Sequence, residues 1–421
     1  MPELKAPIGT RDVLPPDSAR WRRFVGVFAE VVGAAGYGQV VTPIFEELAV
    51  FHRIGEATEI VTKEMYDFED KGGRRMALRP EGTAGVVRAF VEHRPATPWK
   101  VWYTGPNFRY EKAQKGRYRQ FDQVGIEVLG ADDPYCDVEV IALAWQFYAA
   151  LGLRQVRLLV NSLGDAGDRG RYAAALAEHF ESYGDALTPE SRHTLQRNPL
   201  RVLDSKRPDD RPMIEAAPLM GDFLSAAAAE HFEVVLGGLR ALGIPFTVAP
   251  RLVRGLDYYR RTTFEFAAEA LDAAQNAVGG GGRYDGLVEE MGGPATPGIG
   301  FALGVDRTLL ACDAEGVFGL PAADLDAFVV DTTGGATALA LTAELRAAGL
   351  RVDRAFDNRS MKSQMKAADR SGAAVALIVG SDELAAGTVV VRPLRGGGDQ
   401  VAVPRDHVID HVVRTGATPT P

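Results

Sequence analysis

The chain has 421 residues, enough for two or three domains that each bury a core. A formal net charge of −9 and a pI near 5.4 exclude a generally basic nucleic-acid coat, so a nucleic-acid partner would need local basic patches. No apolar run approaches the length of a membrane span. The two cysteines, Cys136 and Cys312, stand far apart in no motif, which suits a reducing cytosol.

Residues 1–16 are rich in Pro and Gly and read as a loop. MPELKAPIGTRD lacks the charged segment and apolar run of a secretion signal. Over 19–37, Trp21, Phe24, Val25, Phe28, Val31 and Val32 recur at helical spacing and predict a packed helix, ended by Gly36–Gly38. GQVVTPIFE, from 38, predicts a short strand whose Pro43 suits an edge or an interface. Residues 64–80 predict a hairpin around a Lys-Gly-Gly turn. Glu81 and Thr83 then stand at the mouth of a helix, where capping alone would account for both. WKVWYTG (99–105) predicts a strand.

The next stretch, 105–130, reads as strand, basic loop, strand. Between 109 and 119, five basic side chains (Arg109, Lys112, Lys115, Arg117, Arg119) face one acid, Glu111. Residues two apart on a strand share a face, so Arg109, Glu111, Gln123 and Glu127 are expected over one open sheet surface. Arginine forks match phosphate oxygens, and a glutamate accepts from an amine or an imidazole N–H. Taken alone, the run also fits a solvated hairpin.

VEVIALAWQFYAALG (138–152) predicts an apolar helix and VRLLVN a strand. Residues 162–250 turn polar, helical and Ala-rich, the pattern of an insertion into one domain. RLVRGLDYYRRTTFEF (251–266) returns to strand-like composition. The glycines 279–282 are expected to allow close chain packing beside a ligand. After a linker at 313–325, strands and helices alternate, which argues a small α/β domain with a mainly parallel sheet. That region carries eleven Lys+Arg and eleven Asp+Glu from 325 onward, so it is neutral. Its Arg359, Lys362, Lys366 and Arg370 share a helical face and form a candidate phosphate-contacting stripe.

Several chemistries are excluded. There is no G-x-x-x-x-G-K-[ST], and GIGFALG misses the dinucleotide spacing. His407 and His411 lie four apart without a carboxylate motif and read as a helix face, so no metal site is expected. No G-x-S-x-G or Cys/His pairing appears.

Together these segments resemble class II aminoacyl-tRNA synthetases and, within them, the histidyl-tRNA synthetase family. VVTPIFE, FRYE with the strand through Phe121, and GIGFALGVDR ending in Arg307 match the three class motifs. RLVRGLDYY and GGRYDGL match the histidine-specific signatures. The resemblance implies an α+β catalytic domain (1–320) built on an antiparallel sheet with a helical insertion at about 165–225. It also implies a C-terminal α/β anticodon-binding domain (326–421). The implied activity converts L-histidine and ATP, with Mg2+ and no prosthetic group, to histidyl-adenylate and pyrophosphate, and then transfers the histidine to the 3' end of tRNA. A cytoplasmic homodimer with no membrane contact follows from the same likeness.

The resemblance also assigns roles. Arg109 and Arg254 become the catalytic arginines on the α-phosphate. Glu111, Phe121 and Arg307 join Arg109 around ATP. Glu81, Thr83 and Gln123 would bind the α-amino group of histidine, and Glu127 and Tyr259 would read its imidazole. Tyr258 and Tyr284 would line the pocket, with Arg254 at the carboxylate. Gln114, Lys115 and Arg117 would approach the acceptor end of tRNA. Lys112 stands where some relatives carry Arg, and the two are not interchangeable. A regulatory paralogue that binds histidine without charging tRNA is disfavoured by the intact Arg109, Glu111, Arg254 and Arg307 and by the C-terminal domain.

Overall fold

The fold is given by a computed structural model, which describes residues 3–414 apart from 54, 56–59, 206, 273–274, 322–324, 358 and 396. Positions 322–324 of the expected linker, and the last seven residues of the expected C-terminal domain, therefore lie outside the described residues. The chain forms two compact units, Met1–Leu320 and Pro321–Pro421.

The first unit is built on an eight-stranded sheet. Its strands are β1 (Gly38–Gln39), β2 (Trp99–Phe108), β3 (Gln120–Leu129), β4 (Val156–Ser162), β5 (Thr247–Val248), β6 (Arg260–Ala268), β7 (Ala277–Arg283) and β8 (Gly298–Gly304). Their spatial order is β1-β2-β3-β8-β7-β6-β4-β5. Every pair is antiparallel except the two outermost, β1 with β2 and β4 with β5. The antiparallel sheet expected from the resemblance is present.

Alternation decides what each face carries. On β3, Val124, Ile126 and Val128 point into the main core. They meet Phe24, Phe28 and Val32 of helix α1 (Asp17–Ala34) and Phe147 and Tyr148 of α3 (Pro134–Ala150). Phe24 and Phe28 meet Phe147 edge-on, at 5.0 and 5.1 Å between ring centres. Each fully buried Phe or Leu contributes roughly 1.5–3 kcal/mol. The intervening residues Phe121, Gln123, Gly125 and Glu127 are thereby left for the other face. Helix α2 (Thr83–His93) packs on that second face, its Ala84, Val87 and Phe90 joining Tyr258, Tyr259 and Tyr284 in a second core.

Helix α4 (Ala166–Glu181) and the short helices to Phe223 also feed this second core, through Tyr172, Leu176, Phe180, Leu200 and Met213. Helix α5 (Ala226–Ala241) instead packs in the main core through Phe232, Val235, Leu236 and Leu239. Helix α6 (Val305–Glu315) follows β8 directly.

Three local expectations differ from the structure. GQVVTPIFE does not form one strand. Residues 38–39 border the main sheet, while 45–47 belong to a separate three-stranded sheet with 75–78 and 67–69. Pro43 offers no N–H and restricts the residue before it, so the run breaks there. The basic hairpin leaves its ladder early, since the last pair is Phe108 with Gln120. Arg109 and Glu111 are thus not strand residues. Residues 251–259 carry no regular structure, and the strand begins at Arg260.

In the second unit, Val352–Arg354, Ala327–Asp331 and Val375–Val379 run parallel. An antiparallel pair, Thr388–Pro393 and Val401–Pro404, extends that sheet. The sheet is mixed rather than mainly parallel. Lys362, Lys366 and Arg370 lie exposed on the helix Met361–Arg370, which buries Gln364 and Ala368 instead; exposed Arg359 precedes the helix and pairs with Asp357 at 2.9 Å.

Candidate functional site

On the second face of the main sheet lies a cavity of about 200 Å3. Glu81, Thr83, Arg109, Glu111, Phe121, Gln123, Glu127, Arg254, Tyr258, Tyr259, Tyr284 and Arg307 all line it. They come from the mouth of α2, from the loop after β2, from β3, from the 251–259 segment, from the residue after β7 and from the start of α6.

One end is buried. Glu127 is fully enclosed. Its Oε1 accepts from Thr83 Oγ1 at 2.7 Å and from the Tyr103 hydroxyl at 3.2 Å, and its Oε2 accepts from the Tyr284 hydroxyl at 2.6 Å. Burial pushes this carboxyl up to about 8, against the pull of those hydroxyls and with some help from the charge of Glu81. Glycine makes room: a Cβ at Gly300, the pairing partner of Glu127 on β8, would overlap the carboxylate. Glu81 is 4% exposed and caps α2, accepting from Thr83 N at 2.7 Å and Ala84 N at 2.8 Å. Burial raises its pKa too, countered by those backbone donors. Capping and lining the cavity are thus both true of Glu81. Tyr258 stacks obliquely on Tyr259 at 4.6 Å and meets Tyr284 edge-on at 5.8 Å. Gln123 accepts from Asn107 Nδ2 at 2.9 Å.

The other end is half-exposed and rich in arginine. Arg109 donates from Nε to the Pro80 carbonyl at 2.9 Å and lies 5.3 Å from the centre of the Phe121 ring. This anchor, rather than strand alternation, brings it to the site. Glu111 forms an ion pair with Arg117. Arg307 donates to the Gly116 carbonyl from Nε and to the Ala277 carbonyl from Nη1, each at 3.1 Å. Burial lowers its pKa, as does the nearby charge of Arg117.

Arg254 forms an ion pair with Glu265 of β6 and lies over β7. A Cβ at Gly280 would come within 2.7 Å of Arg254 Cζ, so glycine there gives the guanidinium its place. Arg254 Nε is buried without a hydrogen-bond partner. A donor left so costs about 1–3 kcal/mol until an acceptor arrives, and a ligand oxygen would supply one.

Of the residues expected at an acceptor end, Arg117 lines the cavity. Exposed Gln114 and Lys115 do not; Gln114 and Arg117 close a turn through mutual backbone hydrogen bonds of 3.0 and 2.9 Å. Arg109, Glu111 and Arg117 also border a second cavity of about 710 Å3, with Arg197 and Arg201 from the helical segment. Among the described residues, no three His, Cys, Asp or Glu side chains gather as a metal-holding group.

Sequence reasoning missed several neighbours. Glu265 sits between buried Phe264 and Phe266, and that parity on a strand was the signal that it points away from the main core, to the side where it meets Arg254. Tyr103 follows the same alternation. Asp122 lines the cavity and is raised to about 6, first by burial and then by Asp306, which pairs with Arg11. No local pattern announced that last contact, which joins residues 295 apart.

The comparisons with known proteins agree along the whole chain. The family described as Histidyl-tRNA synthetase matches residues 9–308, and the Anticodon binding domain family matches 327–415. The chain belongs to the histidyl-tRNA synthetase family. It is 51% identical over 413 residues to the histidine–tRNA ligase of Rhodococcus erythropolis, covering 97% of each chain. It is 50% identical to that of Mycobacterium marinum, covering 98% of this chain and 99% of the other. The apo histidyl-tRNA synthetase structure from S. aureus superposes with a TM-score of 0.82 at 38% identity, over 97% of this chain and all of that one. Within the family, the buried and half-exposed ends of the cavity invite distinct roles.

Proposed function

We propose that the protein is a histidine–tRNA ligase whose buried end selects histidine and whose arginine-rich end holds ATP. One observation carries this reading. Glu127 is a fully buried carboxylate, ringed by three hydroxyls at the floor of a cavity that is arginine-lined elsewhere. A carboxylate placed there accepts from an imidazole N–H, whereas an apolar analogue brings no donor and leaves a buried charge compensated by the three hydroxyls alone.

A carboxylate oxygen of histidine attacks the α-phosphorus of ATP. The bond from that phosphorus to the α,β-bridging oxygen breaks, and pyrophosphate leaves with the electron pair. The attacking carboxylate is already ionised, so no general base is needed. Arg109 and Arg254 position the reactants and stabilise charge developing on the α-phosphate. Glu111 accepts from the adenine amine, Phe121 stacks on the base, and Arg307 assists at the phosphates. Glu81, Thr83 and Gln123 take the α-amino group. Tyr259 joins Glu127 at the imidazole, and Tyr258 and Tyr284 shape the wall. In the second step, a terminal ribose hydroxyl of tRNA attacks the adenylate carbonyl and AMP leaves. Gln114, Lys115 and Arg117 meet the acceptor end.

ATP enters as its magnesium complex. We assign catalysis to 1–320, with the helical insertion at about 165–225, and tRNA anticodon recognition to 326–421. A homodimer in the cytoplasm completes the reading. Val41 is 84%, Phe45 47% and Phe68 42% exposed near Pro43, an apolar surface of the kind an isologous interface covers.

The test is ATP–pyrophosphate exchange with each of the twenty amino acids, followed by charging of tRNA. Exchange with histidine alone is expected. Histidine binding without exchange would instead mark a regulatory protein.

A further inference from the structure

The segment 251–259 carries Arg254, Tyr258 and Tyr259 into the cavity, yet no ladder or helix of its own holds it. Its carbonyls are taken by side chains from elsewhere. Asn161 of β4 donates to the Leu252 carbonyl at 3.0 Å. The other donors come from the helical segment that starts with α4. Arg201 donates to the Arg254 carbonyl, and from its other nitrogen to Asp257 Oδ1 at 2.8 Å. Arg169 donates to the Asp257 carbonyl and to the Tyr259 carbonyl, the latter at 3.3 Å, and its charge lies 3.5 Å from Asp257 Oδ1. Asn198 donates to the same Oδ1 at 3.1 Å. Arg251, at the head of the segment, is bound in return by the Ile214, Glu215 and Ala217 carbonyls at 2.9, 2.6 and 3.2 Å.

We propose that the helical insertion is a positioning element for amino-acid activation, with Arg169 and Arg201 converging on Asp257 to hold the segment that presents Arg254 and Tyr259. This rests on the histidine-activating reading above and extends it. Two arginine forks meet one carboxylate and three carbonyls, so each fork fixes direction as well as charge. Arg254 then needs no repositioning when ATP and histidine arrive. Arg201 also borders the larger cavity shared with Arg109, Glu111 and Arg117.

The experiment uses the full chain and three variants, Arg169→Ala, Arg201→Ala and Asp257→Asn. ATP–pyrophosphate exchange gives kcat and KM for each substrate, thermal melting reports folding, and tRNA charging is measured beside them. A misplacement of about 1 Å costs up to about 100-fold in rate, so a 10- to 100-fold fall in kcat/KM for histidine is expected, with KM for ATP within twofold of wild type. The Arg201→Ala/Asp257→Asn double variant should lose less than the product of the two single losses, because the two residues share a contact. Folded variants with wild-type exchange overturn the inference, and so does a loss confined to tRNA charging, which would make the insertion an RNA-contacting element alone. Should Arg201→Ala fail to melt cooperatively, Asp257→Asn keeps the side-chain shape and decides the matter in the same way. Absence of histidine-dependent exchange in the wild type would remove the functional reading together with this inference. Wild-type kinetics throughout would remove this inference only.

Discussion

The two ends of the cavity solve opposite problems. At the buried end, Glu81 and Glu127 are carboxylates shut away from water, and burial drives both toward their protonated forms. At the half-exposed end, Arg109, Arg117 and Arg307 keep contact with solvent and lean on backbone carbonyls or on Glu111. On the proposed reading, the buried end, where carboxylates are costly to enclose, does the discriminating. The half-exposed end, cheaper to maintain, would supply charge where a phosphate is attacked. Selectivity and rate are, on that reading, assigned to different regions of one sheet face.

Breaking that division should show most at Arg254, to which the proposed reading gives both the α-phosphate and the histidine carboxylate. Arg254→Ala is expected to lower ATP–pyrophosphate exchange by about 10²–10³-fold in a protein that melts as the wild type does, by analogy with a lost oxyanion donor. A folded variant with near-normal exchange would undo the assignment. Glu127→Gln should come next, at about 100-fold in kcat/KM for histidine with KM for ATP unmoved. A similar loss for both substrates would erase the contrast between the ends.

The same substitution tests the electrostatics. A carboxyl raised from the ordinary range to about 8 binds its proton more tightly folded than unfolded. Its stabilising contribution is therefore complete at pH 4 and below and declines as pH rises through 8. Melting temperature should fall from pH 5 to 8.5 in the wild type, and fall less in Glu127→Gln. Equal slopes would mean that Glu127 ionises normally.

Smaller effects sharpen the comparison. Tyr284→Phe removes one hydroxyl from Glu127 and should raise KM for histidine by about tenfold, the worth of one hydrogen bond to a charged group. Raising salt from 50 to 500 mM should weaken ATP severalfold and histidine little, because screening reaches exposed charges and spares buried ones. Parallel changes in both KM values would deny any difference in exposure.

Much of this was legible in the sequence. The alternation of Val124, Ile126 and Val128 with Gln123 and Glu127 marked a strand with one greasy and one polar face, and the glycines 279–282 marked a crowded floor. Recognition of the family rested on RGLDYY and GGRYDG. Other features were hidden for physical reasons. Arg109 reaches the cavity through the Pro80 carbonyl, a contact between residues 29 apart that no periodicity encodes. Asp257 lies inside RGLDYY, but its structural part was hidden, because its partners Arg169 and Arg201 lie 88 and 56 positions away. The hairpin 388–404 was legible as two valine-rich runs about a Gly-rich turn. The βαβ alternation before it drew attention to parallel pairing instead.

The strand order of the main sheet carries a consequence for synthesis on the ribosome. Strand β3 forms a hairpin with β2 as soon as both emerge, but its other neighbour, β8, begins only at Gly298. At translation rates of about 5–20 residues per second, the free edge of β3 waits roughly 10–30 s for its partner. During that interval, a row of unpaired N–H and C=O groups beside Val124, Ile126 and Val128 faces the crowded cell. Nascent chains stalled near residue 250 should therefore bind trigger-type chaperones more strongly than chains stalled past 330. Crosslinking at a photoreactive residue placed in β3 would measure the difference.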